Sequence, residues 1–186
     1  DMDGHVIAYG GPADGMGGEG LETDCPRAWQ ITVYDPGYET PAFMREGVMY
    51  QIFPDRFYRS GAAHPRREEI VYHEDWQDTP LLIPEGKDDN CARDFFGGDL
   101  QGIREKLPYL QALGVTVLYL NPVFMARSNH RYDTADYTRI DPLLGDNGDF
   151  AALCRDAKAA GIRVVLDGVF SHTGEDSVYF NRLGRF

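Results

Sequence analysis

With 186 residues and a formal net charge of −12, the chain can bury one good core with some length to spare, short of two full domains. The acidic balance excludes a nucleic-acid backbone or an anionic membrane as partner, since both need clustered Lys and Arg, and it leaves neutral ligands such as sugars open. No apolar run approaches the ~20 residues of a membrane span, and none near the start has the form of a signal peptide.

The chain opens on Asp1 and not on Met, as a processed or excised piece is expected to do. Residues 1–28 are rich in Gly, Asp and Pro and hold one expected strand, His5 to Tyr9. GMGGEG (15–20) has the G-x-G-x-x-G spacing, yet only LETDC (21–25) precedes Pro26. That leaves no room for the helix a dinucleotide site needs, so the segment reads as a flexible glycine-rich loop. WQITVYDP (29–36) alternates, with Ile31 and Val33 on one face and Thr32 and Tyr34 on the other, the pattern of a half-solvated antiparallel strand. DPGYETP (35–41) carries turn chemistry and marks a domain boundary, giving one unit over 1–40 and another over 41–186.

Beyond the boundary, VMYQIF (48–53) is an expected buried strand closed by Pro54. A polar stretch of roughly 40 residues follows, too long for an ordinary connection and so a functional loop or small subdomain. Asp99 stands as an N-cap before Leu100, Ile103, Leu107, Leu110 and Leu113, which recur at helical spacing up to Gly114. Pro108 lacks an amide donor, so a kink or restart is expected there. VTVLYL (115–120) is a second apolar strand, stopped by Asn121-Pro122, and a long loop runs on to Asp146. A second helix is expected with Asn147 as its cap, Asp149 favouring its N-terminal dipole, Phe150, Leu153 and Ala157 on one face, and Gly161 at its end. The third strand is IRVVLD (162–167). Strand, helix, strand, helix, strand with long connections gives an α/β fold with parallel strands in sequence order and the helices on one side. The three cysteines, Cys25, Cys91 and Cys154, show no metal-ligand spacing. They favour a reduced, cytoplasmic setting over a disulfide framework.

The third strand stops at Asp167, with His172 five residues further on. In parallel α/β folds the C-terminal strand ends face the ligand crevice. Taken alone, Asp167 is as well explained by capping a turn, His172 by a satisfied surface histidine, and Tyr132 by loop packing.

The motifs in order tip that balance. YQIFPDRF (50–57), FFGGDLQGI (95–103), LGVTVLYLNPVF (113–124), HRYDTADYTRIDP (130–142) and LDGVFSHTG (166–174) together resemble the alpha-amylase family of glycoside hydrolases, in its neopullulanase, cyclomaltodextrinase and amylopullulanase branch. The resemblance implies the first three strands and two helices of a (β/α)8 barrel, preceded by the end of an N-terminal β-sandwich. It implies a retaining hydrolase of α-glucan oligosaccharides or polysaccharides, with Tyr132, His130, Asp167 and His172 lining the sugar subsite. The nucleophile and acid/base of the family follow later strands, so no catalytic residue is expected within residues 1–186, and this stretch alone is expected to be inactive. Its barrel-facing residues Leu118, Leu120, Val164 and Leu166 are then expected to lack packing partners. A non-catalytic carbohydrate-binding or scaffold relative is the alternative. No cofactor is expected to be required. Asp99 is left of the family's calcium pattern, but Ser171 replaces its usual asparagine, and Tyr58-Arg59-Ser60-Gly61 puts an arginine where a hard cation needs oxygens.

Overall fold

A computed structural model of the chain describes residues 9–11, 21–22, 33, 35–81, 92–182 and 184. The chain divides into two units, Asp1–Glu39 and Thr40–Phe186. In the first, β1 (Tyr9–Gly10) pairs antiparallel with β2 (Leu21–Glu22). Most of the strand expected over 29–36 and the glycine-rich loop lie outside the described residues; Val33 is described, in no strand and 92% exposed.

The second unit begins with a short helix, α1 (Ala42–Arg45), and β3 (Met49–Ile52). A 3-10 turn at Pro54–Arg56 opens the long polar connection. Within that connection β4 (Val71–Tyr72) pairs parallel with β5 (Asp94–Phe95) over a small core of Ile70, Phe95 and Leu143. The stretch is thus a subdomain with packing of its own.

Two helices follow, α2 (Leu100–Glu105) and α3 (Leu107–Ala112). The expected restart is real but sits at Lys106; Pro108 falls in the first turn of α3, where its missing donor is not needed. Leu113 lies past the helix end and is 53% exposed, so it is not part of the buried stripe. After β6 (Val117–Leu120) the chain makes an antiparallel pair, β7 (Phe124–Ala126) with β8 (Thr134–Ile140). Then come α4 (Asn147–Ala159) and β9 (Arg163–Leu166). Gly114 and Gly161 follow the helix ends with φ of 85° and 76°, the left-handed conformation in which glycine escapes a Cβ clash.

The cap of α4 differs from expectation. Asp146, not Asn147, takes the amide of Asp149 (2.9 Å), while the Asp149 carboxylate takes the amide of Asp146 (3.0 Å). Asn147 turns instead to β8, accepting from the Ile140 amide and donating to the Thr138 carbonyl.

The central sheet is parallel in the order β3-β6-β9. Its register sets Gln51 beside Tyr119 and Val165, and Ile52 beside Leu120 and Leu166. Ile52, Leu118 and Leu120 share one core with Leu100, Ile103, Leu110, Leu153 and Ala157 from the helices, which therefore lie on one side of the sheet. This corrects the expectation for Leu118, Leu120, Val164 and Leu166. Leu118 and Leu120 are fully buried against the helices, with Val164 and Leu166 packed against the same core. The opposite face carries Met49, Gln51 and Tyr119.

Candidate functional site

The backbone ladder runs one residue past each strand end. The Asn121 amide donates to the Ile52 carbonyl and the Asp167 amide to that of Leu120, both at 2.9 Å. Asn121 and Asp167 are thereby fixed side by side at the C-terminal tips of the sheet. A parallel strand stops at a polar residue here because that end of the sheet opens on a cleft, lined by Met49, Gln51, Tyr119, Tyr132 and Asp167.

Tyr132 arrives from the loop after β6 on a rigid turn. Arg131 takes a φ of 60° and is fully buried. Its Nε donates to Asp141 Oδ2 (2.7 Å), whose other oxygen accepts from Arg67 (2.7 Å). Ser128 ties the turn shut through the carboxylate of Asp133 and the amide of Arg131. Held in this way, the Tyr132 phenol donates to Asp167 Oδ2 at 2.7 Å and accepts from Asn121 Nδ2 at 3.3 Å. The bond to Asp167, aided by burial, pushes the phenol pKa up to about 12. Tyr132 therefore keeps its proton and acts as a donor. Burial, and then a bond to the same carboxylate, also raises the Tyr119 phenol.

His130 packs beside Tyr132, ring centroids 5.7 Å apart, and its Nδ1 accepts the Tyr132 amide at 3.1 Å. Burial lowers its pKa, which favours the neutral imidazole, and Ser128 Oγ lies 3.0 Å from the same Nδ1. His172 stands apart from this group. It is exposed, its Nδ1 rests on Ser171 Oγ at 3.0 Å, and its carbonyl accepts from Tyr137 at 3.4 Å. Among the described residues no hydrogen bond or ring contact joins its imidazole to Tyr132, His130 or Asp167. The structure thus groups Tyr132, His130 and Asp167 and leaves His172 on the neighbouring loop.

Gln51, Tyr119 and Asn121 escaped the sequence reading. The signal was a lone amide in the apolar run VMYQIF, a polar group that a strand packed on both faces would not carry without a partner.

The Asp99 carboxylate is occupied by protein donors on both oxygens. One oxygen caps α2 through the Gly102 amide (2.5 Å), and the other takes Ser60 Oγ (2.7 Å) and His64 Nε2 (3.1 Å). Arg59 donates to the carbonyls of Phe96 (3.0 Å), His73 (2.8 Å) and Glu74 (3.4 Å). Both Asp99 oxygens and these three carbonyls thus already accept from protein donors, and a guanidinium stands among them, whereas a calcium ion needs six to eight oxygen ligands. The residues do not fit a calcium ion. Burial alone would raise the Asp99 carboxyl, but bonds from His64, Ser60 and backbone amides outweigh it and hold it low, while the bond to Asp99 raises His64.

Comparison with known proteins gives a consistent result. The profile of the alpha amylase catalytic domain matches residues 51–185. An amylopullulanase of Thermoanaerobacterium saccharolyticum is 47% identical over 192 residues, covering 96% of this chain and 15% of the relative. Neopullulanase 2 of Thermoactinomyces vulgaris is 41% identical over 144 residues, covering 77% of the chain and 22% of the relative. Among solved structures, a cyclic alpha-maltosyl-(1→6)-maltose hydrolase from Arthrobacter globiformis superposes with a TM-score of 0.64 at 41% identity, over 75% of this chain and 29% of that one. The chain spans less than a third of the length of each of these relatives.

Proposed function

The chain belongs to the alpha-amylase family, and from that membership we propose that it is the front part of a hydrolase cutting α-1,4 or α-1,6 links of α-glucans with retention. Residues 1–40 are the end of a β-sandwich domain and linker, and 41–186 supply the first three strands and intervening helices of a (β/α)8 barrel. Tyr132, His130, Asp167 and His172 contribute to the sugar subsite. The single observation that carries this reading is the Tyr132–Asp167 bond of 2.7 Å at the strand tips. It presents an aromatic face for the apolar side of a pyranose beside a carboxylate that accepts hydroxyl protons.

Retention requires a second carboxyl about 5–5.5 Å from the first. Asp167 is the one carboxylate lining the cleft among the described residues, and it is engaged by Tyr132 and Tyr119. In the family's pattern the nucleophile and acid/base follow later strands of the barrel, and Asp167 orients substrate. No cofactor is needed; Arg59 and His64 hold the long connection where a calcium ion would otherwise sit.

The test is turnover of maltooligosaccharides and pullulan by the full-length enzyme, with the anomer of the first product read by proton NMR. The α-anomer is expected. The β-anomer would overturn retention, and no turnover of either substrate would overturn the hydrolase.

A further inference from the structure

A line of side-chain bonds crosses the tips of all three parallel strands. Gln51, exposed on β3, donates through Nε2 to Asn121 Oδ1 at 2.9 Å. Asn121, just past β6, donates through Nδ2 to the Tyr132 phenol at 3.3 Å. Tyr132 donates to Asp167, just past β9, at 2.7 Å. We infer that Gln51 is a positioning residue of the sugar site, fixing which way round the Asn121 amide sits and thereby keeping the Tyr132 proton directed at Asp167. The inference rests on the reading of Tyr132 and Asp167 as a sugar subsite.

The direction of each bond follows from the one after it. A carboxylate only accepts, so Tyr132 spends its single proton on Asp167 and can then only accept from Asn121. The Asn121 amino group must face the phenol, which leaves Oδ1 facing the other way, toward Gln51. Every bond thus points toward Asp167, and aligned hydrogen bonds polarise one another.

Gln51 adds a second hold on this order, because turning the Asn121 amide would take Oδ1 away from the Gln51 donor. The Asn121 backbone is anchored by its amide bond to the Ile52 carbonyl, but the two faces of a carboxamide are nearly the same shape. A turned amide would present Oδ1 to the phenol and compete with Asp167 for its proton. The phenol would then be shared between two acceptors and lose its fixed orientation in the cleft. The sequence agrees. Gln51 lies on the cleft face with Met49 and Tyr119, away from the core that Ile52 and Leu120 fill, so packing of the core gives no reason for an amide there.

The experiment is a double-mutant cycle on kcat/KM for maltooligosaccharides in the full-length enzyme, using Gln51→Met, Tyr132→Phe and the pair. One ordering bond is worth ~1 kcal/mol, so Gln51→Met should lower kcat/KM about three- to tenfold. In the Tyr132→Phe background, where no phenol proton is left to direct, the same change should lower it no further. Thermal melts of all variants check folding, and Gln51→Ser repeats the cycle should the Met variant not fold. Equal losses in both backgrounds, or no loss from Gln51→Met, would overturn the assignment. Unchanged turnover on Tyr132→Phe alone would instead remove the sugar-site reading, and this assignment with it.

Discussion

The carboxylate of Asp167 draws on two phenols, Tyr132 and Tyr119, and the two are not equivalent. Tyr132 is locked by the Arg131–Asp141–Arg67 ion pairs behind its turn, whereas Tyr119 sits on a strand. Removing the Tyr132 hydroxyl deletes a hydrogen bond to a charged group, worth ~1.5–3 kcal/mol. Tyr132→Phe should therefore lower kcat/KM of the full-length enzyme roughly ten- to a hundredfold and lower the melting temperature by a few degrees without loss of the fold; unchanged kinetics would take Tyr132 out of the site. A second expectation concerns His64 and Asp99. His64 has a raised pKa, so its contribution is complete below its ordinary ~6.5 and is lost as pH rises through the raised value; Asp99 is depressed, so its contribution is present above ~3.9 and lost as pH falls through the lowered one. Amide exchange at Ser60 and Gly102, corrected for intrinsic rates, should show greatest protection between about pH 4 and 6.5 and a decline above that window. Protection that stays flat from acid to alkaline pH would refute the coupling of His64 to Asp99, and a melting temperature lowered by chelator would refute the independence of this pair from calcium. At this scale neither Tyr132 nor Asp167 was legible alone, since loop packing and turn capping explain them as well; the ordered motifs singled them out, and the bond between them is visible only in the structure. The sequence did not place His172, since five residues past a strand end fix no direction, and it hid Asn121, whose dipeptide with Pro122 reads as a strand stop.

Elements were legible where their signals were local. The breaks at Gly114 and Gly161 follow from backbone geometry that one residue decides, and the three strands from β-branched runs. The capping residue of α4 was misread because Asp146 and Asn147 are both good caps, and the choice fell to the reciprocal bond with Asp149 and to the pull of β8 on Asn147. That choice can be measured. Asp146→Ala should destabilise the fold by ~0.5–2 kcal/mol through loss of the box, read as a lower denaturant midpoint with faster exchange in the first turn of α4. Loss of protection confined to β8, with α4 untouched, would show that Asn147 carries the junction instead. The inner and outer faces of β6 and β9 were exchanged for a related reason. VTVLYL and IRVVL are apolar on both faces, so no alternation marks which residues meet the helices, and a shift of one residue exchanges the faces. Only the Gln51–Tyr119 register settles it.

For the molecule as a whole, the same register sets the consequences of isolating these 186 residues. In the sheet order β3-β6-β9 the central strand is paired on both sides, while among the described residues β3 and β9 are each paired on one. A strand with one free edge is a template for another chain, and a closed barrel removes such edges by pairing its last strand with its first. The face away from the helices is partly uncovered: Met49 is 44% exposed, and Gln51 and the half-buried Tyr119 stand beside it in an open cleft. The helix-side core, by contrast, is complete, with Leu100, Leu110, Leu118, Leu120 and Leu153 all fully buried. One side of the sheet thus supplies a cooperative core and the other supplies sticky surface. The isolated polypeptide should accordingly keep its helix-side core yet self-associate through β3 and β9, and it should hydrolyse no α-glucan, because the described residues bring no pair of carboxyls to the cleft. Sedimentation across a concentration series should show association that a charged substitution on the cleft face of β3, Met49→Lys, weakens without lowering the melt. A stable monomer at all concentrations would refute the edge argument, and turnover above a buffer blank would place a catalytic acid within these residues.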